Sequence, residues 1–128
     1  MSLFFWSFFC YSFVVFDHSH RTHREKKMLI EFSIVPIGTS SSLSAKVAEV
    51  LDIVDSSGLP YRLTPMGTIV EGEWDELMRL VKRCHMKMMR HEERVLTSII
   101  IDDRKGKTGR ISHKVRAVEK RLGRTLKK

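Results

Sequence analysis

The order of hydrophobic periodicities along residues 28–122 constrains the fold more than any other feature of the sequence. Alternating apolar residues predict strands, and apolar residues at every third or fourth position predict helices. The sequence therefore predicts strands over 28–39, 61–67, 68–72 and 95–101, and helices over 43–56, 73–93 and 110–122. The order β-α-β-β-α-β-α is typical of the split βαβ arrangement with one additional helix. We expect an α+β domain, ferredoxin-like, whose βαββαβ antiparallel sheet carries two helices on one face and an extra C-terminal helix.

Local signals support the limits of these elements. Ser42 is placed to cap the first helix, and Gly58 suits the left-handed conformation that ends it. Pro65 indicates that the strand over 61–67 is broken or lies at a sheet edge. The open face of such a sheet would be covered by another subunit or, in part, by the last helix.

The charge of the chain is concentrated at its C-terminal end. The 128 residues carry a net charge of +8, and residues 104–128 hold 11 Lys and Arg against one Glu. A basic segment can bind nucleic acid or another anionic surface, but it is also the ordinary solvated face of a helix. The two cysteines, Cys10 and Cys84, favour a reducing, cytoplasmic setting over a disulfide framework. No zinc-ligand spacing and no phosphate-binding GxxxxGK[ST] loop is present in the sequence.

The first 27 residues differ in composition from the rest. Leu3 to Phe16 holds 12 apolar residues among 14, and basic residues follow it rather than precede it. This run is shorter than a membrane-spanning helix and lacks the order of a secretory signal. Residues 1–27 are therefore either translated upstream sequence, with Met28 as the working start, or a leader that associates with a membrane or targets the protein. We divide the chain into this leader, a domain over 28–123 and a basic tail over 124–128.

The segment YRLTPMGTIVEGEWDEL, residues 61–77, places polar residues and glycines within a strand pattern. A glycine inside a strand usually marks a bulge, a bend or a close approach of the backbone to another group. Thr68 and Glu71 would then either face a ligand or simply end a hairpin.

Three segments carry a resemblance to a known family: FSIVPIGTSSSLSAKVAEVLD, YRLTPMGTIVEGEWDEL and RVLTSIIIDDR. Together they resemble the small stand-alone thiamine-binding proteins, which bind thiamine or its hydroxymethylpyrimidine moiety. The resemblance implies a ferredoxin-like homo-oligomer, often a tetramer, that binds its ligand without catalysis and without a cofactor. It also implies a ligand site near the loop after the first strand and the middle hairpin, close to a subunit interface.

An aminopyrimidine needs hydrogen-bond partners for its ring nitrogen and its amine, and it needs apolar walls. Hydroxyl groups can both donate and accept, a carboxylate can accept from the amine, and a methionine forms an adaptable wall. A strand-end Asp and Arg could clamp the ligand, or could form a local ion pair in a turn. The candidate ligand-binding residues are Thr39, Ser40, Ser41, Met66, Thr68, Glu71, Asp103 and Arg104.

Two other function classes remain open at this point. A ferredoxin-like module with a basic C-terminal helix could bind nucleic acid, although RNA readers of this shape stack bases on sheet aromatics. The domain offers only Phe32, Tyr61 and Trp74. A small hydrolase would need a nucleophile with a base or an anion cradle, and neither is apparent. The three leader histidines, His18, His20 and His23, could bind a metal, but no structured partner for them is predicted.

Overall fold

A computed structural model describes residues 27–38 and 42–127. The predictions for the leader over 1–26, for Thr39, Ser40 and Ser41, and for residue 128 lie outside this part of the chain. The described elements are β1 (Met28–Pro36), α1 (Leu43–Asp55), β2 (Tyr61–Leu63), β3 (Thr68–Gly72), α2 (Trp74–Met89), β4 (Val95–Asp102) and α3 (Arg110–Leu122).

The four strands form one antiparallel sheet in the order β2-β3-β1-β4. This is the ferredoxin-like topology with an additional C-terminal helix, so the predicted fold class is confirmed. The exposed edges of the sheet are β2, which has three residues, and β4, which has eight.

The register assigns each residue of β1 and β3 to one face of the sheet. Phe32 lies opposite Thr68 and Ile30 lies opposite Val70, and all four side chains are buried. Because successive residues of a strand point to opposite faces, Ile69 and Glu71 lie on the other face. We call the face of Phe32 and Thr68 the helix face, because α1 and α2 cover it. We call the face of Ile69 and Glu71 the α3 face.

The hydrophobic core lies between the helix face and the two helices that cover it. Its fully buried side chains include Ile30, Val54, Val70, Leu77 and Cys84. Burial of the Cys84 thiol raises its pKa to about 11, because the thiolate would lose hydration in the core. Its Sγ lies 3.9 Å from the carbonyl oxygen of Val50, a contact that joins α2 to α1.

Three predicted elements are several residues shorter than expected. The strand predicted over 28–39 ends at Pro36. The strand predicted over 61–67 ends at Leu63, because the Thr64 hydroxyl and backbone close a turn onto Gly67. The helix predicted over 73–93 ends at Met89, and the following segment is tied to α1 by an ion pair between Glu92 and Lys46. Ser42 occupies the N-cap position of α1, as predicted, but its hydroxyl contacts Ser44 and makes no capping hydrogen bond.

The helix α3 lies on the α3 face, where it packs against β3. It contains no fully buried residue, and only part of its apolar side is covered. Both of its ends are flanked by glycines in the left-handed conformation, Gly109 and Gly123. Within the residues that the structure describes, no helix is both long and apolar enough to cross a bilayer.

Candidate functional site

A groove opens on the helix face between α1, the second half of β1 and the β2–β3 turn. Its volume is about 180 Å³. The walls come from Phe32 and Ile34 of β1 and from one side of α1, while Leu63 and the turn after it form the rim. A single six-membered ring matches this volume better than a larger ligand does, since sites for drug-sized molecules usually exceed roughly 300 Å³.

The groove contains no charged side chain among the described residues that line it. The lining residues are Phe32, Ser33, Ile34, Val35, Leu43, Val47, Val50, Leu51, Leu63, Thr64, Pro65, Met66, Gly67, Thr68 and Met88. Apolar atoms therefore dominate its surface, and a neutral, flat molecule is the best match for it.

Thr68 is the buried polar residue of this groove. Its side chain is only 7% exposed, and it lies at the start of β3, beside Phe32. No hydrogen bond within the described part of the chain involves its hydroxyl. No buried side-chain N or O atom of the described residues lacks a hydrogen-bond partner, so the unpartnered Thr68 hydroxyl oxygen is accessible and is available to a ligand or to water.

The β2–β3 turn is held in one shape by Thr64. The Thr64 hydroxyl donates to the carbonyl oxygen of Gly67 at 2.9 Å and accepts from the Gly67 amide at 3.1 Å. Met66, at the tip of the turn, is 83% exposed and stands over the groove as an adaptable apolar side chain. Below the turn, Tyr61 donates to the Asp55 carboxylate at 3.0 Å, and this hydrogen bond raises the pKa of the Tyr61 hydroxyl.

The glycines of this motif allow close packing inside the protein. A Cβ atom at Gly67 would lie 2.9 Å from the carbonyl oxygen of Phe32, so the turn can rest against β1 only with a glycine there. At Gly72 a Cβ atom would meet the Leu77 side chain at 3.3 Å. The close approach expected from the sequence is therefore made within the fold, and no ligand is needed to explain these glycines.

Glu71 lies on the α3 face, away from the groove. Positions 68 and 71 differ by an odd number of residues, so their side chains leave the strand in opposite directions. The Glu71 carboxylate is 3% exposed and accepts hydrogen bonds from the backbone amides of Gly109, Arg110 and Ile111, at 2.5, 2.9 and 3.4 Å. It thus caps the N-terminus of α3 from another element of the fold.

The strand-end residues lie at the other end of β1. Asp102 pairs with Leu29, far along β1 from Phe32, and its carboxylate forms an ion pair with Arg110 of α3. Asp103 is exposed, and Arg104 lines a separate cleft beneath α3. An ion pair does form at the end of this strand, but it joins Asp102 to Arg110 of α3 and does not involve Asp103 or Arg104.

The structure thus brings Met66 and Thr68 together at the groove and separates Glu71, Asp103 and Arg104 from it. The segment over 39–41 joins Gly38 to Ser42 and so connects β1 with α1, two elements that line the groove. The apolar wall from α1, which includes Leu43, Val47 and Leu51, was not among the predicted site residues. The helical stripe of α1 was visible in the sequence, but a stripe does not indicate whether it meets the core or a groove.

The described residues that line the groove include no charged group, and the described chain contains no cluster of three or more His, Cys, Asp or Glu that could bind a metal. The chemistry of the site is therefore that of hydrogen bonding and apolar contact. Groups of this kind can recognise a ring, and they include no acid or base for proton transfer.

Comparison with known proteins gives consistent results. UPF0045 protein MJ1052 of Methanocaldococcus jannaschii is 32% identical over 93 residues, covering 73% of this chain and 93% of that protein. UPF0045 protein YqgV of Bacillus subtilis is 36% identical over 100 residues, covering 73% of this chain and 96% of that protein.

Solved structures agree with these sequence matches. The crystal structure of MJ1052 superimposes with a TM-score of 0.67 at 32% identity, covering 73% of this chain and 96% of that one. The structure of TM0486 of Thermotoga maritima, a candidate thiamine biosynthesis or salvage protein, superimposes with a TM-score of 0.64 at 26% identity. The match covers 72% of this chain and 98% of that one. The family model for thiamine-binding proteins matches residues 30–119. This chain therefore belongs to the thiamine-binding protein family.

Proposed function

We propose that this protein binds thiamine through its hydroxymethylpyrimidine moiety, or binds the free pyrimidine, in the groove between α1 and the β2–β3 turn. The observation that carries the proposal is the accessible hydroxyl of the largely buried Thr68, which has no hydrogen-bond partner within the described chain and lies in a groove whose described lining residues carry no charge. Membership of the thiamine-binding protein family supports the choice of ligand.

The groove and an aminopyrimidine are chemically complementary. The Thr68 hydroxyl can donate to a ring nitrogen and accept from the exocyclic amine. Phe32 and Met66 both line the groove and would give the ring apolar contacts. The volume of about 180 Å³ accommodates the pyrimidine, so the thiazolium ring of thiamine would extend from the mouth toward solvent. Thr39, Ser40 and Ser41 are proposed to complete the set of hydrogen-bonding groups at this mouth.

In this proposal Glu71, Asp103 and Arg104 do not contact the pyrimidine. Glu71 acts on the opposite sheet face, where it positions α3. The proposed role is binding without catalysis, because the described residues of the groove include no side chain able to act as an acid or base at neutral pH.

We further propose that the protein is a homo-oligomer, a dimer or a tetramer, built through β4. Leu96, Ile99, Ile100 and Ile101 are between 39% and 66% exposed on an edge strand of eight residues. A long apolar edge of this kind pairs readily with another strand, and a second copy of β4 would supply one in antiparallel orientation.

Isothermal titration of the full chain with hydroxymethylpyrimidine and with thiamine tests the proposed ligand. Thr68→Val removes the hydroxyl at nearly constant volume, and we expect it to weaken binding about tenfold, which corresponds to one or two lost hydrogen bonds. Thr108→Val, at an exposed threonine in the loop before α3, is the matched control and should bind as the unmodified protein does. The proposal fails if the folded protein binds neither ligand, or if Thr68→Val leaves the affinity unchanged.

A further inference from the structure

A second and larger cleft lies on the α3 face, between the sheet and α3. Its volume is about 650 Å³, within the range of sites that hold small organic ligands. Its floor is apolar and consists of Leu29 and Ile69 from the sheet and of Ile111, Val115 and Val118 from α3. The sheet separates this cleft from the groove that contains Thr68, since Ile69 and Thr68 point to opposite faces of β3.

Besides Arg110, which is paired with Asp102, three cations border the cleft from three different parts of the fold. Arg62 is half-buried on β2, Arg104 follows β4, and Lys114 lies on α3. None of the three forms an ion pair within the described chain. Cations that converge without a carboxylate partner produce a positive potential over the apolar floor, and that potential favours an anion.

Two carboxylates near the cleft, those of Asp102 and Glu71, already have donors. Asp102 forms an ion pair with Arg110, and Glu71 accepts from three amides of α3. Glu31 lies on the same sheet face but is not among the lining residues. The uncompensated charge among the described residues that line the cleft is therefore positive.

We propose that this cleft is a second ligand site, which binds a small organic phosphate with a flat apolar body. The guanidinium groups of Arg62 and Arg104 offer paired N–H donors, which match phosphate oxygens, and Lys114 adds a third charge. The apolar floor between them would contact the body of the ligand. The site is independent of the proposed pyrimidine groove, because the two open on opposite faces of the sheet.

Phenyl phosphate is a suitable probe, with inorganic phosphate as the head group alone and phenol as the apolar body alone. In isothermal titration of the full chain at 0.15 M salt, where distant charges are largely screened, we expect phenyl phosphate to bind saturably and more tightly than either fragment. The double variant R62Q/K114Q should weaken this binding roughly 10- to 100-fold, as expected for lost charge-assisted hydrogen bonds.

The double variant R116Q/K120Q is the matched control. It removes the same charge from exposed positions of α3 that lie outside the cleft. It should leave the affinity for phenyl phosphate nearly unchanged. Arg104→Gln, at an exposed position after β4, provides a second test if R62Q/K114Q does not fold. Thr68→Val should not affect phenyl phosphate, so the outcome is separate from that of the pyrimidine groove.

Three results would overturn the proposal. The first is the absence of saturable binding of phenyl phosphate to the folded protein. The second is equal weakening by R116Q/K120Q and R62Q/K114Q, which would indicate only the general positive field of α3. The third is binding of phenol as tight as that of phenyl phosphate, which would show that the cations do not contribute.

Discussion

Replacing Glu71 with glutamine should release α3 from the sheet while leaving the rest of the fold in place. The wild-type carboxylate is buried and accepts hydrogen bonds from the first amides of the helix. Glutamine retains one acceptor oxygen but loses the negative charge, and its amide group would point N–H donors at backbone N–H donors. Because α3 has no fully buried residue, few other contacts would hold it.

The expected loss can be worked out from the two interactions removed. One charge-assisted hydrogen bond contributes about 1.5–3 kcal/mol. The favourable interaction of a partly buried charge with a helix N-terminus adds up to about 2 kcal/mol. Since the two overlap, we expect a local destabilisation of roughly 2–4 kcal/mol, which corresponds to a roughly 30- to 700-fold increase in the opening of α3.

Native-state hydrogen exchange measures this opening residue by residue. In Glu71→Gln the amides of α3 should exchange faster by that factor, while those of β1 and β3 should change little. Glu31→Gln is the matched control, because Glu31 lies on the same sheet face in the neighbouring strand and forms no ion pair in the described chain. Unchanged exchange in α3, or an equal effect of Glu31→Gln, would refute the capping role of Glu71.

Two further predictions follow from the core and from the β4 edge. Because the folded state raises the pKa of Cys84 from 9.0 to about 11, its neutral thiol stabilises the fold below about pH 9, and this stability is lost as the pH rises through about 11. The loss of unfolding free energy should amount to roughly 2–3 kcal/mol. Denaturant unfolding between pH 8 and 11 should show this loss in the wild-type protein and not in Cys84→Ala. Parallel pH profiles of the two proteins would contradict the prediction. Ile100→Lys, at a residue 66% exposed on β4, should convert the proposed oligomer to a smaller species by light scattering after gel filtration. A wild-type protein that is already a monomer would rule out the oligomer.

The elements of the fold were predictable because each one is encoded locally. Alternation along 28–36 and the helical stripe of α2 each require only neighbouring residues, and both were assigned correctly in type. The early end of β2 was signalled by Pro65, although the closure of the turn by Thr64 was not. The ion pair between Lys46 and Glu92 joins residues 46 positions apart, and no local pattern indicates it.

The candidate site was predictable in part. Thr68 and Met66 do line a common groove, but Glu71 was grouped with them although its distance along the strand places it on the other face. That error could have been avoided, since the parity of positions 68 and 71 is visible in the sequence. The hydrogen bonds that the Glu71 carboxylate accepts from the amides of α3 could not have been foreseen, because these amides lie 38 to 40 residues further along the chain.

The closed turn over 64–67 has a consequence for both sides of the sheet. A slip of one residue in the pairing of β3 with β1 would turn every side chain of β3 to the opposite face. The Thr68 hydroxyl would then face the basic cleft, Ile69 would fill the groove on the helix face, and the Glu71 carboxylate would enter the hydrophobic core. The hydrogen bonds of Thr64 to Gly67 and the contact of Gly67 with β1 oppose such a slip. This turn of four residues therefore helps to fix the register that gives the two faces of the protein their different chemistry.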